Sequence, residues 1–266
     1  LVGLMGWRNA FKVLALLHAI FILGFILIVR DAPADQQPWA EPSGRAGDSR
    51  SSLGSLKTLF GNWSYWAISM SIFLRYGAYA AIQSLWAGPF LMEYLGLSPL
   101  VAGNLILLIS MGFILGSPGG GVISDRLLKS RKKAIVIGSL IASAAVFLVS
   151  RWSAPALLPL LGALLFLLGF FAAFNQVSYA HIKELMPPHM SGTAMAGINF
   201  FTMFGGGLFM HSLGGVMKYL SGDAAQPGEL YSTAFVICGC AILINAGLYL
   251  TTRDTVPTTH VPTKPS

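Results

Sequence analysis

The stretch Gly121-Val-Ile-Ser-Asp125-Arg126-Leu-Leu-Lys129-Ser-Arg131-Lys132-Lys133 decides how this chain is read. It ends one apolar run, Pro99–Ile123, and leads into another that starts at Ala134. A helix that crosses a bilayer needs about 20 mostly apolar residues. Basic residues collect in the short loops that stay on the cytoplasmic side. One acid and five basic side chains packed between two such runs therefore describe a turn of a multi-pass membrane protein.

Composition extends this reading to the whole chain. The 266 residues are 55% hydrophobic, 12% aromatic and 10% charged, and the mean hydropathy is +0.68. Soluble domains carry about 25% charged residues. A water-soluble globule of this length cannot hide so much apolar surface, so the soluble enzyme classes recede. The charge of +7, from 17 Lys+Arg against 10 Asp+Glu, is explained by topology and not by nucleic acid. Cys238 and Cys240 sit two apart in an apolar run, where helical geometry points them in different directions. They read as small apolar fillers and not as a disulfide or metal pair.

Working outward, seven apolar runs are found: Phe11–Val29, Tyr65–Met92, Pro99–Ile123, Ala134–Arg151, Pro155–Ala180, Thr193–Leu220 and Tyr231–Thr252. No alternating pattern of a transmembrane barrel is visible. The fold class is all-α, a polytopic membrane helix bundle. Residues 30–64, with Pro33, Pro38 and Pro42 among Gly, Ser and mixed charges, form a polar linker, partly disordered by composition. Residues 1–29 hold one helix, 65–252 a six-helix bundle and 253–266 a tail. The basic loop, the linker's Arg30, Arg45, Arg50 and Lys57, and the tail's Arg253 and Lys264 share one side. Only Arg8, Lys12, Arg151 and Lys218 fall on the other. This asymmetry places linker and C-terminus in the cytoplasm.

The quoted loop is similar to the G-x-x-x-D-R-x-x-x-R-[RK] signature of the major facilitator superfamily. In that family a polar loop separates two six-helix halves. The resemblance implies that residues 30–64 are the central loop and that the seven runs are helix 6 and helices 7–12. The chain then corresponds to the second half of such a transporter, with N-terminal helices missing. Gly6-Trp7-Arg8 resembles a motif outside helix 6. Within the family, Phe73-Leu-Arg75-Tyr76-Gly77, Gln83-Ser-Leu-Trp86-Ala-Gly88-Pro89 and Glu184-Leu-Met-Pro187-Pro188 resemble bacterial sugar-phosphate permeases and organophosphate:phosphate antiporters. That resemblance implies a phosphate-contacting role for Arg75 and a place in a bacterial inner membrane.

The side chains suggest where a solute binds. Arg75 stands about eleven residues into its run, near mid-membrane at ~1.5 Å per residue. A charge there is costly unless it is paired or faces water. It marks either an anion site or a structural arginine bonded to carbonyls. Arg75, Tyr79, Gln83 and Trp86 recur at helical spacing and share one face, with Tyr76 beside them. Asn175, Gln176 and Tyr179 in the fifth run, and Asn199 in the sixth, fit a cavity wall and equally an interhelical hydrogen bond. Gly121 and Asp125, Arg126, Arg131 and Lys132 form the candidate latch: Gly121 allows close helix approach, and Asp125 is expected near the backbone N–H groups of Ser191–Thr193. None of the ten acids lies at mid-span, which favours an anionic or neutral solute over a cation.

The sequence therefore predicts a secondary transporter of a small, anionic organic solute working by alternating access. The expected partners are the solute, the lipid bilayer and the missing N-terminal helices, with no nucleic acid and no cofactor. A transporter-like receptor and an inactive fragment remain open as alternatives.

Overall fold

The chain's architecture comes from a computed structural model that describes residues 2–28, 57–153, 157–220 and 227–255. It is all-helical in these residues, a polytopic membrane helix bundle. Helix α1, Val2–Ile28, forms one unit and is broken at Gly6, whose φ of 72° lies in the left-handed region open to glycine. His18 on this helix bonds back to the carbonyl of Leu14. The predicted linker falls outside the described residues up to residue 56.

The second unit contains the remaining helices. Helix α2 (Trp63–Ala81) starts two residues before the predicted run, where the Asn62 side chain accepts the Ser64 N–H. Its helical path continues to Tyr94 through π-helical turns at Ile82–Trp86 and Phe90–Tyr94, on either side of Ala87–Pro89. Two widened turns, of the kind that π-bulges produce inside α-helices, thus flank Gly88-Pro89. Helix α3 (Pro99–Val122) is capped by Ser98, with Pro99 in its first turn, and ends in a π-turn, Ile123–Leu127. Helix α4 (Arg131–Ser150) is capped by Ser130, which accepts the Lys133 N–H. Helix α5 (Leu158–Ala172) tightens into a 3₁₀ turn, Ala173–Gln176, before α6 (Val177–Leu185). Helices α7 (Ser191–Leu220) and α8 (Pro227–Leu250) complete the bundle.

Six helices among the described residues are long and apolar enough to cross a membrane, α5 and α6 counting as one. The predicted run Tyr65–Met92 is not among them, because Arg75, Tyr76, Tyr79 and Gln83 lower its hydropathy. It still forms a rod long enough to span.

In lipid the hydrophobic effect does not draw helices together, so small residues that admit close backbone contact do. On α3, a Cβ at Gly112 or Gly116 would collide with the backbone of Phe166 or Phe170, and one at Gly169 of α5 would collide with the Ile109 carbonyl. A Cβ at Gly205 of α7 would come within 2.8 Å of the Phe73 backbone, and one at Gly77 of α2 within 2.9 Å of the Gly205 carbonyl. Gly206 lies against the Tyr76 ring, whereas a Cβ at Gly207 would meet nothing. Gly121, assigned from sequence to close helix approach, also has nothing within 4 Å. The contact belongs instead to Gly112, Gly116 and Gly120, earlier on the same helix.

Two apolar clusters fill the bundle, one around Leu59, Ile68, Ile135, Ile198 and Tyr249, the other around Ala78, Ile109, Ala142, Leu165 and Phe235. A buried polar residue separates the clusters on each of five helical paths: Arg75 on α2, Ser139 on α4, Asn175 in the 3₁₀ turn, Thr202 on α7 and Asn245 on α8. Asn245 donates to Ser139 at 2.7 Å, and its carbonyl accepts the Ser71 hydroxyl. A polar layer therefore lies between the two apolar clusters.

Gly169→Val is expected to lower stability by about 1–3 kcal/mol through overpacking. Gly121→Ala is expected to change it by less than about 0.5 kcal/mol. Thermal unfolding in detergent micelles measures both.

Candidate functional site

The helix-start chemistry builds a charged cluster at the basic end of the bundle. Lys129 takes a positive φ of 47°, which turns the chain sharply so that Ser130 can cap α4. The turn aims Arg131 inward. Its Nη1 donates to Asp125 and to Ser124 Oγ, and its Nε and Nη2 form a fork on Glu184 at 3.1 and 2.8 Å. A planar guanidinium suits this two-carboxylate arrangement, which a lysine cannot reproduce. Asp125 engages Arg131, and among the described residues no hydrogen bond joins it to Ser191–Thr193, where sequence reasoning expected it. The role of an acid at a helix N-terminus falls to Asp254: it accepts the Ser130 hydroxyl at 2.5 Å and the Lys132 N–H at 3.1 Å. Lys132 Nζ donates to the Thr252 carbonyl, and Thr255 Oγ1 to Glu184. Arg126 is exposed and joins no ion pair among the described residues. The residues following α8 thus strap across the ends of α4 and α6.

His181 lies under this strap. It is fully buried, and its ring nitrogens meet the Tyr249 hydroxyl at 2.7 Å and the Arg253 carbonyl at 2.9 Å. Tyr249 donates onward to Ser178. Sequence reasoning did not pair Arg131 with Glu184, Ser130 with Asp254 or His181 with Tyr249. Their contacts span separations such as 68 and 124 residues, which no local pattern reveals.

The candidate solute-binding residues fall into two groups. Arg75, Tyr79 and Gln83 do share a face, as their spacing implies, but that face packs within the bundle. Arg75 is 1% exposed, and its Nη2 donates to the Phe171 carbonyl where α5 gives way to the 3₁₀ turn. Among the described residues its Nε and Nη1 have no hydrogen-bond partner. Tyr79 stacks on Phe113 at 5.1 Å, and Gln83 donates to Ser110. Trp86 lies edge-on to Tyr231, whose hydroxyl donates to Glu93 at 2.6 Å. Tyr231 is a buried packing residue.

The second group lies on α6, α7 and the 3₁₀ turn. Tyr179 Oη donates to Asn199 Oδ1 at 3.1 Å and lies 3.1 Å from Thr202 Oγ1. Asn199 and Gln176 are exposed, Asn175 is buried, and Tyr76 is half-buried against α7. The Tyr179 contacts with Asn199 and Thr202 join α6 to α7.

An all-helical bundle with apolar flanks, a buried polar layer and an intramembrane arginine defines a multi-pass membrane protein. The family model of the major facilitator superfamily matches residues 68–266, and the chain belongs to that superfamily. No curated protein matches it. Among solved structures it is similar to a bacterial homologue of the human lysosomal transporter Spinster, captured inward-facing and unoccupied. The identity is 14%, over 92% of this chain and 57% of that one, with a TM-score of 0.51. At this identity the likeness is one of fold, and this chain spans 57% of that chain's length.

Arg131→Ala removes donors from two carboxylates at once and is expected to cost about 2 kcal/mol, part of each acid remaining in water. Arg126→Ala is expected to stay within about 0.5 kcal/mol. The difference in unfolding temperature of the two variants checks the assignment.

Proposed function

We propose that this chain is the second half of a secondary active transporter for a small organic anion, joined to a first bundle across the surface that carries Gln176, Tyr179 and Asn199. The basic loop and the tail strap face the cytoplasm, following the positive-inside distribution. The observation that carries the reading is Arg75: a guanidinium buried in the polar layer with two nitrogens unpartnered. Such a group is costly in a bundle interior. An anion arriving beside it would satisfy the free donors with charge-assisted hydrogen bonds.

Arg75 is sealed between α2 and α5, so access requires these helices to part. The widened turns of α2 and the 3₁₀ turn beside Phe171 are the points where the helical ladders are already irregular, and they serve as hinges in this reading. Tyr79 and Gln83 would then line the opened path, while the Arg131–Asp125–Glu184 cluster holds the cytoplasmic ends until the rocking step. The sugar-phosphate resemblance of Phe73–Gly77 makes an organophosphate the first solute to test.

Arg75→Ala in the intact transporter, reconstituted in liposomes, is expected to weaken uptake of organophosphates by roughly 10- to 100-fold, the value of a hydrogen bond to a charged group. A neutral sugar serves as the comparison. Unchanged organophosphate uptake, with the variant folded, removes Arg75 from the site.

A further inference from the structure

A groove of about 350 Å³ opens between α4 and α8, lined by Lys132, Lys133, Val136, Ile137, Leu250 and Asp254. We propose that it binds the headgroup phosphate of an anionic phospholipid, whose acyl chain lies along the helices below. The argument rests on position, charge and surface.

The two lysines sit on the first turn of α4, at the end of a helix that crosses the membrane. Their level is that of the lipid headgroups. Lys132 Nζ is held at 3.0 Å by the Thr252 carbonyl, which leaves two of its three N–H donors to give. Lys133 is exposed beside it. Asp254 is the one acid in the lining; its carboxylate is held at the helix start by Ser130 Oγ, the Lys132 N–H and the Thr255 N–H, and two lysines stand against its single negative charge. Basic pockets between transmembrane helices at a cytoplasmic surface are suited to acidic lipid headgroups.

The walls beneath are apolar. Val136, Ile137 and Leu250 line the groove, and the exposed outer surface of α4 and α8 continues with Leu140, Leu148, Leu243 and Ile244. A free phosphate ion would gain nothing from this band, whereas an acyl chain is matched to it. The accessible polar groups Gln176, Tyr179 and Asn199 belong to α6, α7 and the turn before them, not to this surface. Because Lys132 and Asp254 are both part of the tail strap, a bound lipid would tie the strap to the membrane.

The test uses the protein purified in nanodiscs of equal parts phosphatidylglycerol and phosphatidylcholine, with retained lipid read by native mass spectrometry. The expected result is preferential retention of phosphatidylglycerol. The pair Lys132→Gln with Lys133→Gln should weaken it by on the order of tenfold. Arg126→Gln with Lys129→Gln removes the same charge outside the groove and should leave it unchanged. Ile137→Trp, which fills the groove with both lysines present, should weaken it as well and serves if the lysine pair does not fold. Equal retention of both lipids, equal loss in the two charge variants, or full retention in Ile137→Trp overturns the proposal. Displacement of the lipid by millimolar inorganic phosphate would reassign the groove to the free ion.

Discussion

Backbone-to-backbone contact at glycine is the constraint on which this bundle depends. Helices in lipid have no water to escape, so they associate where dispersion contacts are densest and where polar groups find partners. Gly112, Gly116 and Gly169 bring α3 and α5 together so closely that no Cβ would fit, and Gly77 and Gly205 do the same for α2 and α7. The α4–α8 pair is joined by Ser143 donating to the Gly239 carbonyl and by Asn245 donating to Ser139. With these pairs formed, the positions of Arg75, Tyr179 and Arg131 follow.

The polar layer has a cost and a use. An arginine, two asparagines, a serine and a threonine are withheld from water between two apolar clusters. The Asn245–Ser139–Ser71 part is satisfied and holds three helices in one register. The Arg75 part is left incomplete, with one bond to Phe171 and two idle nitrogens. Satisfied and unsatisfied groups thus lie side by side in one layer. At the basic end the division differs: Arg131 and Asp254 are fully engaged, and Lys132 and Lys133 retain donors at the lipid-facing edge.

Much of this was legible in the sequence. Run lengths determined an all-helical membrane bundle, because a helix must cover the bilayer with its own backbone bonds satisfied, and the Gly121–Lys133 loop resembled the signature of the major facilitator superfamily. Helical spacing determined that Arg75, Tyr79 and Gln83 share a face. Only the tertiary structure decided which way that face turns, since periodicity gives a stripe but not the neighbour that covers it. Only the fold showed that Arg131 forks onto Glu184 and that Asp254, not Asp125, caps a helix: both depend on how the loop at Lys129 turns and on chain segments far apart in sequence. The glycine spacing was visible, but Gly121 and Gly116 look alike in a sequence; the backbone that lies against one of them is what gives it a role.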